Sequence, residues 1–203
     1  MEITEYKTVA KPATVEIKIE KSIFIGHTQE VETSAEAQEF IAKIRAEHNQ
    51  ATHNCYAYRV GWGKTEEVHF HDHGEPSGTA GKPILGAIQR LDLTNTVVVV
   101  TRYFGGKKLG VRGLIEAYGE TATKVLEEAG IKIKPITESY LLEVEYPNLN
   151  SVQYYLEQAG GQITHQDFGA TVHLTVALPV NTSQATVSAL KDKLLVRKIK
   201  EAQ

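Results

Sequence analysis

The sequence holds a single cysteine, Cys55. An internal disulfide is therefore excluded, and so is a structural zinc site built from cysteines alone. No run approaches the ~18 consecutive apolar residues that a membrane-spanning helix needs. The first stretch, MEITEYKTVAKPATVEIKIEK, has no apolar core and carries early acids, so no secretory signal is expected. Together these absences predict a cytoplasmic protein. An excess of one charge is also missing. The chain has 22 Lys and Arg against 25 Asp and Glu, a formal net charge of −3, which gives no global attraction to nucleic acid. Any such binding has to come from a local patch. Low-complexity segments and short tandem repeats are absent too.

What is present is an ordinary globular composition. Hydrophobic residues make up 41% and charged residues 23% of 203, enough for a buried core in one large or two small domains. The pattern divides the chain into 1–135 and 136–203. In the first part, ATVEIKIE, SIFIGHTQEV, CYAYRVGW and EEVHFHDH read as strands from their alternation and β-branched content. TSAEAQEFIAKIRAEH opens with a capping box, Thr33 to Glu36, and places Ala37, Phe40, Ile41, Ile44 and His48 on one helical face. PILGAIQRL is a short helix. TVVVVTRY is a continuous apolar run suited to a strand covered on both faces. After it, Val111, Leu114, Ile115, Tyr118, Ala122, Val125, Leu126 and Ala129 recur at helical spacing, and Gly130 can close that helix. IKIKPIT is an extended connection. The second part reads β-α-β-β-α-β, the ferredoxin-like split pattern, ending in LVRKIK, a lysine-rich strand edge. Asn150 with Gln153 is the expected cap of its first helix, and Gly160-Gly161 its stop.

Two glycine-rich stretches carry the chemistry. In TRYFGGKKLGVRG, Gly105, Gly106 and Gly110 permit positive φ. Arg102, Lys107, Lys108 and Arg112 supply four cations with no acid between them, and a helix N-terminus follows. Such a turn suits a phosphate. The spacing is neither that of a P-loop nor that of a dinucleotide fingerprint. The plainer reading is a tight strand-to-helix turn with solvated lysines. In VHFHDHGEPSGTAGKP, His69, His71 and His73 alternate along a strand and are candidate metal ligands, with His53 and Cys55 as additional donors. The plainer reading is a polar strand end, and no metal is expected. Asp72 and Glu75 are a candidate acid–base pair. Thr79, Gly81 and Lys82 form a second candidate anion nest, or a simple cap. Cys55 reads as core. Tyr56, Tyr58, Trp62, Tyr103 and Phe104 offer either core packing or stacking surfaces for bases.

The order ATHNCYAYRVG, GEPSGTAGKPIL, VVVVTRYFGGKKLG and GLIEAYG resembles the IMPACT (YigZ/YvyE) family over about residues 20–125. The second half is similar to the ferredoxin-like domain appended to bacterial members. The resemblance implies an α+β protein. Its N-terminal domain would be a ribosomal-protein-like β-α-β two-layer domain, shared with the fourth domain of elongation factor G, and its C-terminal domain would resemble that factor's fifth. It also implies a role near the ribosome or RNA, or a protein partner in translation control. Eukaryotic relatives restrain a translation-controlling kinase by binding its activator. No cofactor is implied. Motif positions carried over include His53, Asn54, Asp72, Gly74, Glu75, Pro76, Gly78 to Pro83, Arg102 to Gly106, Leu109 and Gly110. Departures fall at Ile23, His71, His73 and Arg112. The acid usual where His73 stands is lost, which weakens two-carboxylate catalysis, and Arg112 adds a cation where the family has glycine. The expectation is a translation-associated protein that contacts RNA, the ribosome or a translation factor through the basic loop. A small-molecule hydrolase using Asp72 and Glu75 is the alternative.

Overall fold

The computed structural model describes residues 3–193, 196 and 198–201, with side chains described to 193 and at 196. Leu194, Leu195 and Arg197, in and beside the predicted last strand, lie outside the described residues. The chain forms two compact units. One is Lys7–Ile133. The other contains the described residues of Met1–Tyr6 and Lys134–Gln203. Strands β1 (Glu5–Val9) and β7 (Ile131–Pro135) pair as a two-stranded ribbon. The pattern did not mark β1 as a strand.

The first unit is built on a five-stranded sheet. It contains β2 (Ala13–Ile19), β3 (Ser22–Glu30), β4 (His53–Val60), β5 (Glu67–His71) and β6 (Thr96–Tyr103), in the order β2-β3-β6-β4-β5. Every neighbouring pair is antiparallel. β6 lies at the centre, and its four valines, Val97 to Val100, are fully buried. Each contributes roughly 1.5–3 kcal/mol relative to exposure, so this strand anchors the unit. Alternation sends Val97 and Val99 to one face and Val98 and Val100 to the other.

Helices cover both faces. On one, α1 (Ser34–Glu47) packs Phe40, Ile41 and Ile44 against Tyr56, Tyr58, Val97 and Val99. On the other, α2 (Gly81–Arg90) and α3 (Gly110–Ala129) pack Ile84, Ile88, Leu114, Tyr118 and Leu126 against Phe24, Cys55, Ala57, Val98 and Val100. The unit is therefore three layers deep, which corrects the two-layer expectation. The apolar stripe of α1 serves one sheet face, and those of α2 and α3 together serve the other. Thr33 caps α1, its hydroxyl accepting from the Glu36 amide at 3.1 Å, while the Glu36 carboxylate reaches one residue past the cap and accepts from the Glu32 amide at 2.8 Å. Gly130, at φ +67°, ends α3.

The second unit runs β8 (Thr137–Val144), α4 (Leu149–Gln158), β9 (Gln162–Phe168), β10 (Val172–Pro179), α5 (Val180–Asp192), β11 (Lys198–Glu201). Its sheet order, β11-β8-β10-β9, is the ferredoxin-like topology. Leu142, Val144, Leu174, Val176 and Leu178 of the sheet bury with Val152, Leu156 and Leu190 of the helices. Asn150 and Gln153 do not cap α4. The helix begins earlier, straight after a short 3-10 turn at Tyr146–Asn148, so no side-chain cap is made. Its end is as the pattern predicts, with the Gly161 amide donating to the Leu156 carbonyl at 2.8 Å.

His27, on β3, is buried in the first unit. Burial first, and the neighbouring His48 second, push its pKa down from the ordinary 6.5 to about 4. Between those values the unfolded chain binds the proton more readily than the folded one. This contribution to stability is therefore complete above pH 6.5 and falls as pH drops towards 4. In that window the unfolding constant should rise by up to roughly tenfold per pH unit. Urea midpoints of His27→Gln should show a flatter slope over the same range; an unchanged slope would place the titration elsewhere.

Candidate functional site

β5 and β6 run in the same direction, each antiparallel to β4 between them. The loops that follow them, 72–80 and 104–109, therefore leave the same end of the sheet, and α2 and α3 both begin there. A buried polar knot joins the two loops. Glu75 Oε1 accepts from Arg102 Nη1 at 2.6 Å and from the Tyr118 hydroxyl at 2.9 Å, with His53 Nε2 at 3.8 Å. Arg102 Nη2 reaches Ser22 Oγ at 3.4 Å, and that oxygen also accepts the Gly105 amide at 3.2 Å. The Arg102 guanidinium lies over the rings of Phe24 and Phe104, 5.4 and 5.3 Å from their centroids. Glu75 and Arg102 are both almost wholly buried.

These positions revise several sequence-based expectations. Arg102 is not a surface cation. It is even-numbered in β6, like Val98 and Val100, and points to the same inner face, where Glu75 neutralises it. Gly105 is not an open glycine: a Cβ there would stand 1.8 Å from the Lys21 carbonyl oxygen. Its role is close packing of main chain on main chain.

Asp72 is fully engaged. One carboxylate oxygen accepts the Gly78 amide at 2.8 Å, and the other accepts those of Ala80 and Gly81 at 3.0 and 2.8 Å. Burial tends to raise its pKa, but the three amides outweigh it and hold the group below the ordinary carboxylate value. The anion at the N-terminus of α2 is thus the chain's own. Thr79 is buried, its hydroxyl donating to the Pro76 carbonyl at 2.6 Å. Of the expected second nest only Lys82 faces solvent. Asp72 and Glu75 both have structural partners, which leaves no free carboxylate at Asp72 for acid–base work.

His69 and His71 share one face of β5 and stack on tyrosines. Their rings lie 5.6 and 5.7 Å from Tyr58 and Tyr56, tilted by only 13° and 14°. His73 leaves the strand at φ +43° and accepts the Asn54 amide on Nδ1, while His71 Nδ1 accepts the His73 amide. The three imidazoles do not converge. Among the described residues no group of three His, Cys, Asp or Glu side chains is arranged to hold a metal ion.

Cys55 is fully buried, and its thiol donates to the Asp72 carbonyl at 2.8 Å. Burial first, then the Glu75 and Asp72 charges, push its pKa up to about 12 against the opposing Tyr118 hydrogen bond. The thiolate is the reactive form. A disulfide reagent at pH 8 should therefore leave Cys55 unlabelled in the native protein and label it at the rate of unfolding. Rapid labelling without denaturant would contradict the burial.

The N-terminus of α3 differs from that of α2. Among the described residues no side chain caps it, and its first turn has no acid. Gly106 and Gly110 adopt φ +89° and +72°, and nothing lies within 4 Å of a Cβ built on either. Lys107, Lys108 and Arg112 are all exposed there. Lys107 pairs with Glu20 at 2.6 Å and Arg112 with Glu116 at 2.8 Å. Such exposed pairs are worth about 0–1 kcal/mol and open readily. Sequence reasoning grouped Lys107, Lys108 and Arg112 with Arg102, which the strand instead turns inward to Glu75. It missed Tyr118 and Ser22 as polar partners, because a hydroxyl within an apolar pattern gives no sign of what it bonds.

The knot's residues all lie in one matched region. The family profile of the Impact N-terminal domain matches residues 20–126, more than half of the chain. The chain belongs to the IMPACT family. Residues 142–194 match a domain of unknown function (DUF1949). IMPACT family member YigZ of Escherichia coli (strain K12) is 41% identical over 175 residues, covering 84% of each chain. IMPACT family member YvyE of Bacillus subtilis (strain 168) is 43% identical over 157 residues, 76% of this chain and 70% of its own. A crystal structure of a hypothetical protein superposes with a TM-score of 0.74 at 32% identity, covering 100% of this chain and 99% of that one. No described helix is long and apolar enough to cross a membrane.

Proposed function

We propose that the chain is a translation-associated binding protein that holds RNA phosphates at the N-terminus of α3. One contrast carries this reading. Two helices begin at one end of the sheet. The chain fills the first with its own carboxylate, Asp72, while among the described residues no side chain caps the second, which lies beside the open Gly106 and Gly110 and the cations Lys107, Lys108 and Arg112. Free peptide N–H groups and the positive dipole end favour an anion there. The resemblance to a family whose expected role lies in translation supports the choice of RNA.

In this reading the Glu75–Arg102–Tyr118 knot positions the loop and does not touch ligand. Lys107 and Lys108 turn from Glu20 and solvent to phosphate. The test is co-sedimentation with ribosomal subunits over a salt series, with naked RNA in parallel. Lys107→Glu combined with Lys108→Glu should weaken binding across sequences and lower the salt slope by about 2, roughly one for each lost phosphate contact. An unchanged affinity would refute the assignment. Loss of ribosome binding with naked-RNA affinity intact would point to a ribosomal protein as the contacted surface.

A further inference from the structure

β5 is the edge of the five-stranded sheet, and among the described residues no strand pairs with its outer side. All five of its residues, Glu67-Val68-His69-Phe70-His71, are exposed, with Val68 at 41% and Phe70 at 36%. Proteins usually guard such edges with lysine, proline or a bulge. Two other edges here, β2 and β9, follow that habit. β2 carries Lys18, and β9 pairs with β10 across a register shift. β5 has no lysine, proline or bulge.

The strand is also complementary to itself. Turned antiparallel against a copy centred on His69, it sets Glu67 opposite His71 twice on one face. On that same face His69 meets its own copy on the axis, and on the other face Val68 stands opposite Phe70 twice. A carboxylate facing an imidazole and apolar pairs directly across strands are contacts that stabilise a sheet; with its Nδ1 accepting the His73 amide, His71 has Nε2 left to donate to the facing Glu67. The imidazoles are already oriented by stacking on Tyr56 and Tyr58. The structure assigns β5 as the contact through which two copies of this chain pair into a continuous ten-stranded sheet about a two-fold axis at His69. Such an interface is isologous: each copy contributes the same strand. It uses neither the basic loop nor α3, so it stands apart from the RNA reading.

Sedimentation equilibrium of the full chain tests it. Wild type should show a concentration-dependent monomer–dimer equilibrium. His71→Glu sets like charges opposite twice and should raise the dimer dissociation constant roughly tenfold. Adding Glu67→His reverses the polarity of both pairs and should restore it. His71→Glu keeps an acceptor for the His73 amide, so the fold has what it needs locally. A second measurement does not rely on these charges. His69→Cys should form an interchain disulfide under mild oxidation, since the axis brings the two residues within the ~4.4–6.8 Å Cα range, while Val68→Cys, two residues out of register with its own copy, should not. Buried Cys55 does not compete. A mass that stays monomeric at every concentration, a swap that fails to restore pairing, or cross-linking at 68 in preference to 69 would each overturn the proposal.

Discussion

Glu75→Leu should destabilise the protein by about 3–5 kcal/mol, because it leaves the Arg102 guanidinium buried with no counter-charge. Arg102→Leu should cost a similar amount for the mirror reason. The two carboxylate bonds, 2.6 Å to Arg102 and 2.9 Å to Tyr118, satisfy groups that water hardly reaches. The double substitution removes both charges together, and its cost should fall well below the sum of the singles, with a coupling of about 0.5–3 kcal/mol. Urea unfolding of the four proteins supplies the cycle. Additive effects, or an unchanged midpoint in Glu75→Leu, would show that the pair is not the closed unit described here. A surface role for Glu75 predicts the opposite: little change in stability.

Gly105→Ala is expected to disrupt the basic loop without altering a single charge. The new methyl would stand 1.8 Å from the Lys21 carbonyl oxygen, 2.1 Å from its carbon and 2.7 Å from the Ser22 nitrogen. All three are main-chain atoms, so no rotamer relieves the contact and the loop itself has to move. Overpacking of this kind costs about 1–3 kcal/mol or more. The displacement also pulls the Gly105 amide from Ser22 Oγ, whose other partner is Arg102. Gly106→Ala is the control. Its Cβ meets nothing within 4 Å, and only the left-handed backbone at φ +89° opposes it, at roughly 1–2 kcal/mol. Thermal unfolding and RNA affinity should both fall further for Gly105→Ala. Equal losses at the two positions would contradict the close approach.

Much of the fold was legible in the sequence. Four valines in a row announced a strand covered on both sides, a capping box fixed the start of α1, and the βαββαβ order of the second unit followed from alternation and helical spacing. What the pattern could not give was the third layer. All three helices were visible, but nothing in an apolar stripe says which sheet face it meets. The site was legible as a cluster and obscure in its roles. Arg102 sits in sequence beside Lys107 and Lys108, and grouping by charge put it with them. Strand parity with Val98 and Val100 is the signal that sends it inward. Asp72 bonds amides six to nine residues ahead, beyond the reach of the short turn motifs that a sequence displays. His73 has the spacing of its two neighbours, yet its backbone has already left the strand.

The place of β6 has a consequence for synthesis. In the first sheet β6 is the last strand to be made, and it enters between β3 and β4. Until Thr96–Tyr103 has left the ribosome, the chain can hold only two separate hairpins, β2–β3 and β4–β5. The inner edges of both wait for the same partner. Domains fold as units during translation, and unpaired apolar edges invite misassembly. A nascent chain arrested before Thr96 is therefore more exposed to aggregation than one arrested after Tyr103, since the 8 residues of β6 cover both inner edges together.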